Sequence, residues 1–306
     1  MIIVKKMIVF CVVLIFMFLL NSCRSDYNDK NIENKTNNAG ATTEKTKYNT
    51  FTGLKPMEDV DYTADDPENT RRLSVIKIAH SYGVAKNGEP HRISVESQDY
   101  FSKCGYKAVT YDTDKEGKAL YLTFDCGYEN GYTSKILDTL KNKNVKAAFF
   151  CTLDQIKSEP ELIARMINEG HIVGNHSSGH PSFAEIDRQT MAEEIEECEN
   201  YLRKNFGYSS DYFRFPKGEY TESALNLVDS LGYKSIFWSL AYSDWDVNNQ
   251  KGWEYAYNRV ISRLHPGAII LLHSVSSDNA NAMGKIIDYA KANGYKFMSL
   301  DEYIFN

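Results

Sequence analysis

Tyr121-Leu122-Thr123-Phe124-Asp125-Cys126-Gly127 is the most informative run in the chain. Tyr121, Leu122 and Phe124 are apolar or aromatic and Thr123 is β-branched, which predicts a short buried strand. The strand delivers an acid, a thiol and a glycine in immediate succession. A carboxylate at the end of a buried strand is costly unless it is paired or used. Gly127 lets the chain turn away with backbone angles that other residues avoid. In parallel α/β folds, a strand that ends in an acid and breaks on glycine sets a reactive group at the mouth of the sheet. The plainer alternative is an aspartate that caps the next helix. Residues far along the chain bear on which of the two holds.

Working outward, an alternation sets in at Lys118. Short apolar runs at 119–124, 145–150, 172–174, 212–214, 235–240, 268–272 and 295–298 predict strands. Between them, the face made by Ile136, Leu137 and Leu140 predicts a helix, as do the patterns at 154–169, 190–206, 222–231, 252–264 and 279–293. The run 268–272 is apolar throughout, as expected of a strand buried on both faces. Strands separated by helices at this spacing make an α/β fold with a parallel sheet and helices outside. About seven such units favour a closed or nearly closed barrel over an open sheet. This barrel domain is expected to span 118–306. Residues 51–117 form a preface with turn signals at Pro56, Asp65-Asp66-Pro67 and Asn87-Gly88. The preface is expected to pack on the barrel and carries no legible constellation.

The N-terminus reads as export rather than fold. Lys5 and Lys6 precede an unbroken apolar run at 7–20, short for a membrane span and the right length for a signal. The run ends at Leu20-Asn21-Ser22-Cys23, which resembles a bacterial lipobox with Asn21 where a small residue is usual. Residues 1–22 are therefore expected to be a lipoprotein-type signal peptide, with Cys23 the lipidated residue. That would hold the protein on the membrane, outside the cytoplasm; plain secretion and an uncleaved anchor are the alternatives. Residues 23–50 are nearly free of large apolar side chains and read as a flexible linker. A formal net charge of −6 with no basic block argues against a nucleic-acid partner. Cys104, Cys126, Cys151 and Cys198 lie beyond the signal, and none forms a CxxC pair, which excludes a zinc ribbon or a thioredoxin motif. Cys151, after an apolar run, and Cys198, within a helix, read as buried free thiols. A monomer is expected.

In parallel α/β folds the site lies beyond the C-terminal ends of the strands. Those ends carry Asp125, then His176 and His180, then Arg214 with Lys217, then Asp244-Trp245, and finally His273. A structural scaffold would not need such a set. His176 and His180 have metal-ligand spacing, since residues four apart on a helical turn point the same way. Surface histidines meet the same spacing, and Gly179 and Pro181 argue against a long helix there. Convergence with the other strand ends favours metal binding.

Thr123-Phe124-Asp125-x-Gly127, His176-x-x-x-His180, Arg214-x-Pro216-x-Gly218, Asp244-Trp245 and Leu272-His273 resemble, in order, the motifs of the polysaccharide deacetylases. These enzymes carry the NodB homology domain and form carbohydrate esterase family 4. The resemblance runs from about Lys118 to the C-terminus. Tyr128-Glu129-Asn130-Gly131, Asn248-Asn249-Gln250-Lys251-Gly252 and the stretch from His265-Pro266-Gly267 through His273-Ser274-Val275-Ser276 look like one branch, the delta-lactam-biosynthetic de-N-acetylases of spore-forming bacteria. That branch takes the acetyl group from peptide-stripped N-acetylmuramic acid, and the freed amine closes a muramic lactam in spore cortex.

The resemblance implies a deformed (β/α) barrel, a divalent metal that is usually zinc, and peptidoglycan glycan strands as partner. It implies that Asp125 is the general base paired with Arg214, and that His176 and His180 hold the metal. His273 would be the general acid tuned by Asp244, with Trp245 and Leu272 lining the pocket for the acetyl methyl. A backbone N–H near Lys217 would meet the oxyanion. Amide hydrolysis requires this division of labour: an activated water, a sink for the oxyanion and a proton for the amine.

Two departures stand out. Cys126 occupies the place of a second, metal-binding aspartate, and either its thiolate replaces that ligand or it is a spectator. Phe215 replaces a proline and is expected to loosen the turn slightly. Lys217 is a basic candidate to meet the lactyl carboxylate that distinguishes muramic acid from glucosamine. The alternative readings are a deacetylase of N-acetylglucosamine in peptidoglycan or another glycan, and an inactive glycan-binding lipoprotein.

Overall fold

The computed structural model describes residues 51–81, 83–114 and 116–305. The expected signal peptide with Cys23 and the expected linker therefore lie outside the described residues. In chain order the elements are β1 (Ile78–Ala79), α1 (Arg92–Cys104), β2 (Ala108–Val109), β3 (Ala119–Cys126), α2 (Thr133–Lys143) and β4 (Ala148–Cys151). Next come α3 (Leu153–Ser158), α4 (Pro160–Asn168), β5 (Ile172–Asn175), α5 (Arg188–Phe206), β6 (Tyr212–Phe213) and β7 (Glu219–Tyr220). The last are α6 (Glu222–Ser230), β8 (Lys234–Ile236), α7 (Trp253–Ile261), β9 (Ala268–His273), α8 (Ser277–Ala292) and β10 (Lys296–Met298).

Strand β3 is the hub of the sheet. One edge pairs in parallel with β9, from Leu120 opposite Ala268 to Asp125 opposite His273. The other edge is shared, with β10 beside its first half and β4 beside its second. From β4 the sheet runs in parallel through β5, β6 and β8 to β2. Just past β8 the Ser239 N–H donates to the Ile269 carbonyl at 3.0 Å, and the Leu240 carbonyl accepts from the Leu271 N–H at 2.9 Å. The sheet thus curls back to β9 as a deformed barrel, with the site at the C-terminal strand ends. The expected parallel α/β barrel is what the chain forms, with β2 of the preface added to the sheet. The antiparallel pair β1–β7 stands apart from it.

Alternation along β3 separates two environments. Leu120, Leu122, Phe124 and Cys126 face outward into the helix layer, where Ile136, Leu137 and Leu140 of α2 and Met283, Ile286 and Ile287 of α8 bury them. Tyr121 faces inward, into the barrel cluster with Phe150, Ile269 and Trp238. Each fully buried Leu, Ile or Phe contributes about 1.5–3 kcal/mol.

Two local expectations are corrected. The helix expected over 154–169 is two helices, because Pro160 lacks the N–H that would continue α3 and instead starts α4. Phe215 does not loosen its turn. Its φ of −61° is the value a proline would fix, and its ring stacks on Phe237 at 5.7 Å.

Candidate active site

Asp125 emerges on the inner side of β3, directly opposite His273 on β9. Its Oδ1 accepts from Arg214 Nη1 at 2.8 Å. The guanidinium is fully buried and has no loose end. Nε donates to the Ile236 carbonyl at 2.9 Å, Nη2 to the Phe237 carbonyl at 3.2 Å, and the plane lies 4.2 Å over the Phe150 ring. Gly174 makes room for that ring, since a Cβ there would lie 2.5 Å from it. Burial alone would push the Asp125 carboxyl up, but Arg214, with help from His176 and His273, holds it below its ordinary value. Asp125 is thus kept ionised, as a base must be.

His176 follows β5. Its Nδ1 donates to the Arg214 carbonyl at 2.8 Å, which leaves Nε2 as a lone-pair donor 3.6 Å from Asp125 Oδ2. The His180 ring stands 4.8 Å away, centroid to centroid. No helical turn brings the two together. Ser177 and His180 both take left-handed backbone angles, and Ser177 Oγ accepts from the His180 N–H at 3.0 Å. Asn175 pins the start of this loop through the Ile195 carbonyl of α5 at 2.9 Å. Burial lowers both imidazoles, His176 to about 4, so both are neutral donors at neutral pH.

Two neutral imidazoles beside a carboxylate suit a divalent cation of the zinc type. Among the described residues no group of three or more His, Cys, Asp or Glu side chains forms a cage. The pair would therefore leave positions open to water and substrate. Cys126 does not supply the third ligand. Strand parity sends it to the side of β3 opposite Asp125, where Ser274 Oγ donates to its Sγ at 3.2 Å within the helix-layer core. Of the two readings of Cys126, the spectator is the one the geometry supports. Cys151 and Cys198 are buried free thiols, and Cys104 is free and exposed.

His273 ends β9. Its Nδ1 donates to Asp244 Oδ1 at 2.7 Å, and its backbone N–H to Asp244 Oδ2 at 2.8 Å. Burial opposes the charged ring, but Asp244, together with Asp125 and Cys126, pushes its pKa up to about 9. The two pairs are thus divided: one carboxylate is held charged by an arginine, one imidazole is held protonated by an aspartate.

Asp125, His176, His180 and His273 face one cavity of about 800 Å³, with Arg214 and Asp244 held behind them. Trp245 lines it, half exposed, with its ring 5.7 Å from that of His273. Lys217 lines it from a left-handed backbone position (φ 60°). Leu272 does not. Parity sends Leu272 into the helix-layer core and turns Leu271 to the cavity, which corrects the expected acetyl-pocket residue. The preface supplies a wall that its sequence gave no sign of. Ala79, His80 and Ser81 line the cavity beside Trp238, and His80 Nε2 donates to the Trp238 carbonyl at 2.7 Å. Gly218, at φ 65°, permits this close approach, because a Cβ there would lie 2.8 Å from the His80 carbonyl. Parity gives Leu271 once the register has set His273 on the cavity face; nothing local could have found His80.

Residues 112–236 match the family profile for polysaccharide deacetylase. The chain is 45% identical over 201 residues to the peptidoglycan-N-acetylmuramic acid deacetylase PdaA of Bacillus subtilis, covering 65% of this chain and 76% of that protein. It is 33% identical over 183 residues to a peptidoglycan-N-acetylglucosamine deacetylase of Bacillus cereus, covering 58% of this chain and 66% of the relative. The solved structure of B. subtilis PdaA, a family 4 carbohydrate esterase, superposes with a TM-score of 0.70 at 39% identity, covering 75% of this chain and 97% of that one.

Proposed function

Because this chain belongs to the polysaccharide deacetylase family, we propose that it removes the acetyl group from N-acetylmuramic acid of peptidoglycan, on glycan already freed of its muramic peptides. The family is metal-dependent, and zinc is the ion proposed for His176 and His180. When bound, such an ion supplies Lewis acidity toward the amide carbonyl and lowers the pKa of water.

The chain's own residues do the rest. Asp125, kept ionised by Arg214, takes a proton from the attacking water. The water oxygen bonds to the acetyl carbon, and the Lys217 backbone N–H faces the developing oxyanion. His273, kept protonated by Asp244, gives its proton to the amide nitrogen as the C–N bond breaks. Acetate and a free amine leave. Leu271 and Trp245 shield the methyl group from water. The freed amine lies next to the lactyl carboxylate of the same sugar, the arrangement an internal lactam needs, and spore cortex is the setting this reading implies.

The observation that carries the reading is the division between the Arg214–Asp125 and Asp244–His273 pairs around one imidazole couple. The greater identity to a muramic acid deacetylase than to the glucosamine deacetylase supports the choice of sugar. The test uses the chain from Phe51 onward, divalent metal, and glycan strands with and without prior removal of muramic peptides. Mass spectrometry is expected to find acetyl loss from muramic acid only after peptide removal. Loss from glucosamine instead would transfer the protein to the second specificity, and no loss with any metal would favour a binding role.

A further inference from the structure

Asn279 lies in the first turn of α8, fully buried behind the Asp244–His273 pair. Its Nδ2 donates to Asp244 Oδ2 at 2.5 Å and to the His273 carbonyl at 3.2 Å. Its Oδ1 accepts from the Tyr242 hydroxyl at 2.5 Å. The amide has one chemically acceptable orientation, because a flip would aim its oxygen at a carboxylate and a carbonyl, neither of which donates. Asp244 Oδ2 therefore receives two donors, Asn279 and the His273 N–H, while Oδ1 is left to the imidazole. A carboxylate gripped this way cannot rotate its Oδ1 off the ring.

A second network converges on the same place. Gln250 Nε2 donates to the carbonyls of Asp244 at 3.1 Å and Asp246 at 2.9 Å, and its Oε1 accepts from Ser276 Oγ at 2.7 Å. Asp278 Oδ2 accepts from the N–H groups of Lys251 at 2.6 Å and Gly252 at 2.8 Å. The loop bearing Asp244 and the turn after His273 are thereby joined by side chains that the reaction itself does not use.

We propose that Asn279, with its orientation set by Tyr242, is a positioning residue that holds Asp244 in register with His273 so that the imidazole presents its proton to the leaving amine. This rests on the deacetylase reading for its consequence, though not for its geometry. The titratable groups on the cavity side of His273 besides Asp244 are Asp125 on β3 and His180 on the loop after β5, while Cys126 acts on it only from behind the sheet. None of them could replace the grip on Oδ2.

The test compares wild type with Asn279→Leu and Tyr242→Phe by two readouts. The first is the far-downfield proton NMR signal of the His273 Nδ1–H bound to Asp244, assigned by its absence in His273→Gln and needing neither metal nor substrate. Asn279→Leu is expected to move this signal upfield and speed its exchange with water, and Tyr242→Phe to do so to a lesser degree. The second is kinetics on peptide-free muramyl glycan, where Asn279→Leu is expected to lower kcat about 10- to 100-fold with KM little changed. An unmoved signal, or an unmoved kcat in a folded variant, overturns the proposal. If Asn279→Leu does not fold, Tyr242→Phe decides by the same two measurements. Wild-type protein that deacetylates nothing overturns the deacetylase reading alone, and the NMR signal still judges Asn279.

Discussion

Arg214 and Asp125 illustrate how much the site asks of single residues. A buried guanidinium is tolerable because each of its three nitrogens makes a hydrogen bond and Phe150 lies beneath it. Removing one partner of such a pair costs about 3–5 kcal/mol, because the other charge is left buried and alone. The arginine is therefore both a structural and a catalytic requirement, and its substitution is a poor probe of chemistry. Lys217 is the better probe of specificity, being exposed on the cavity wall and free of structural duties in the core. Lys217→Ala is expected to raise KM for peptide-free muramyl glycan about tenfold, equivalent to about 1.4 kcal/mol, and to spare glycans without the lactyl group. Equal effects on both substrates would remove Lys217 from sugar selection.

At the scale of the element, β9 divides its labour by parity. Leu271 and His273 face the cavity, and Leu272 faces the helices. Leu272→Ala should therefore cost about 2–5 kcal/mol of stability, read as a lower denaturation midpoint, with KM unchanged. Leu271→Ala should do the reverse in emphasis, weakening kcat/KM while disturbing the fold less. If Leu272→Ala were the variant that damaged substrate handling, the assignment of faces would be wrong. The sequence made β9 legible as a buried strand, yet an all-apolar run carries no alternation from which to read its faces. Its register against β3, with Asp125 opposite His273, is what fixes them. The same holds for Cys126. Its neighbour in sequence is the catalytic aspartate, and its neighbours in space are Leu120, Leu122 and Phe124.

At the scale of the whole molecule, the export signal and Cys23 lie outside the described residues, and their reading is a proposal about location. Cys23→Ser is expected to move the protein from the membrane fraction to the soluble exported fraction and to abolish lipid incorporation. Wild-type protein already found soluble outside the cell would instead support plain secretion. From Lys118 onward the main alternation of strands and helices is legible in the sequence, because apolar periodicity and helix-ending glycines are local signals. The sequence also shows which strand ends carry Asp125, His176, His180, Arg214, Asp244 and His273, because each lies at the end of an apolar run or in the segment that follows it. Long-range packing sets which neighbours share a face. It turned Leu271 rather than Leu272 to the cavity and moved Cys126 behind the sheet. It brought His80 of the preface against Trp238 and set Asn279 behind Asp244. Each of those depends on pairing or packing between residues far apart in the chain, and side-chain direction is not written into a sequence until a register has been chosen.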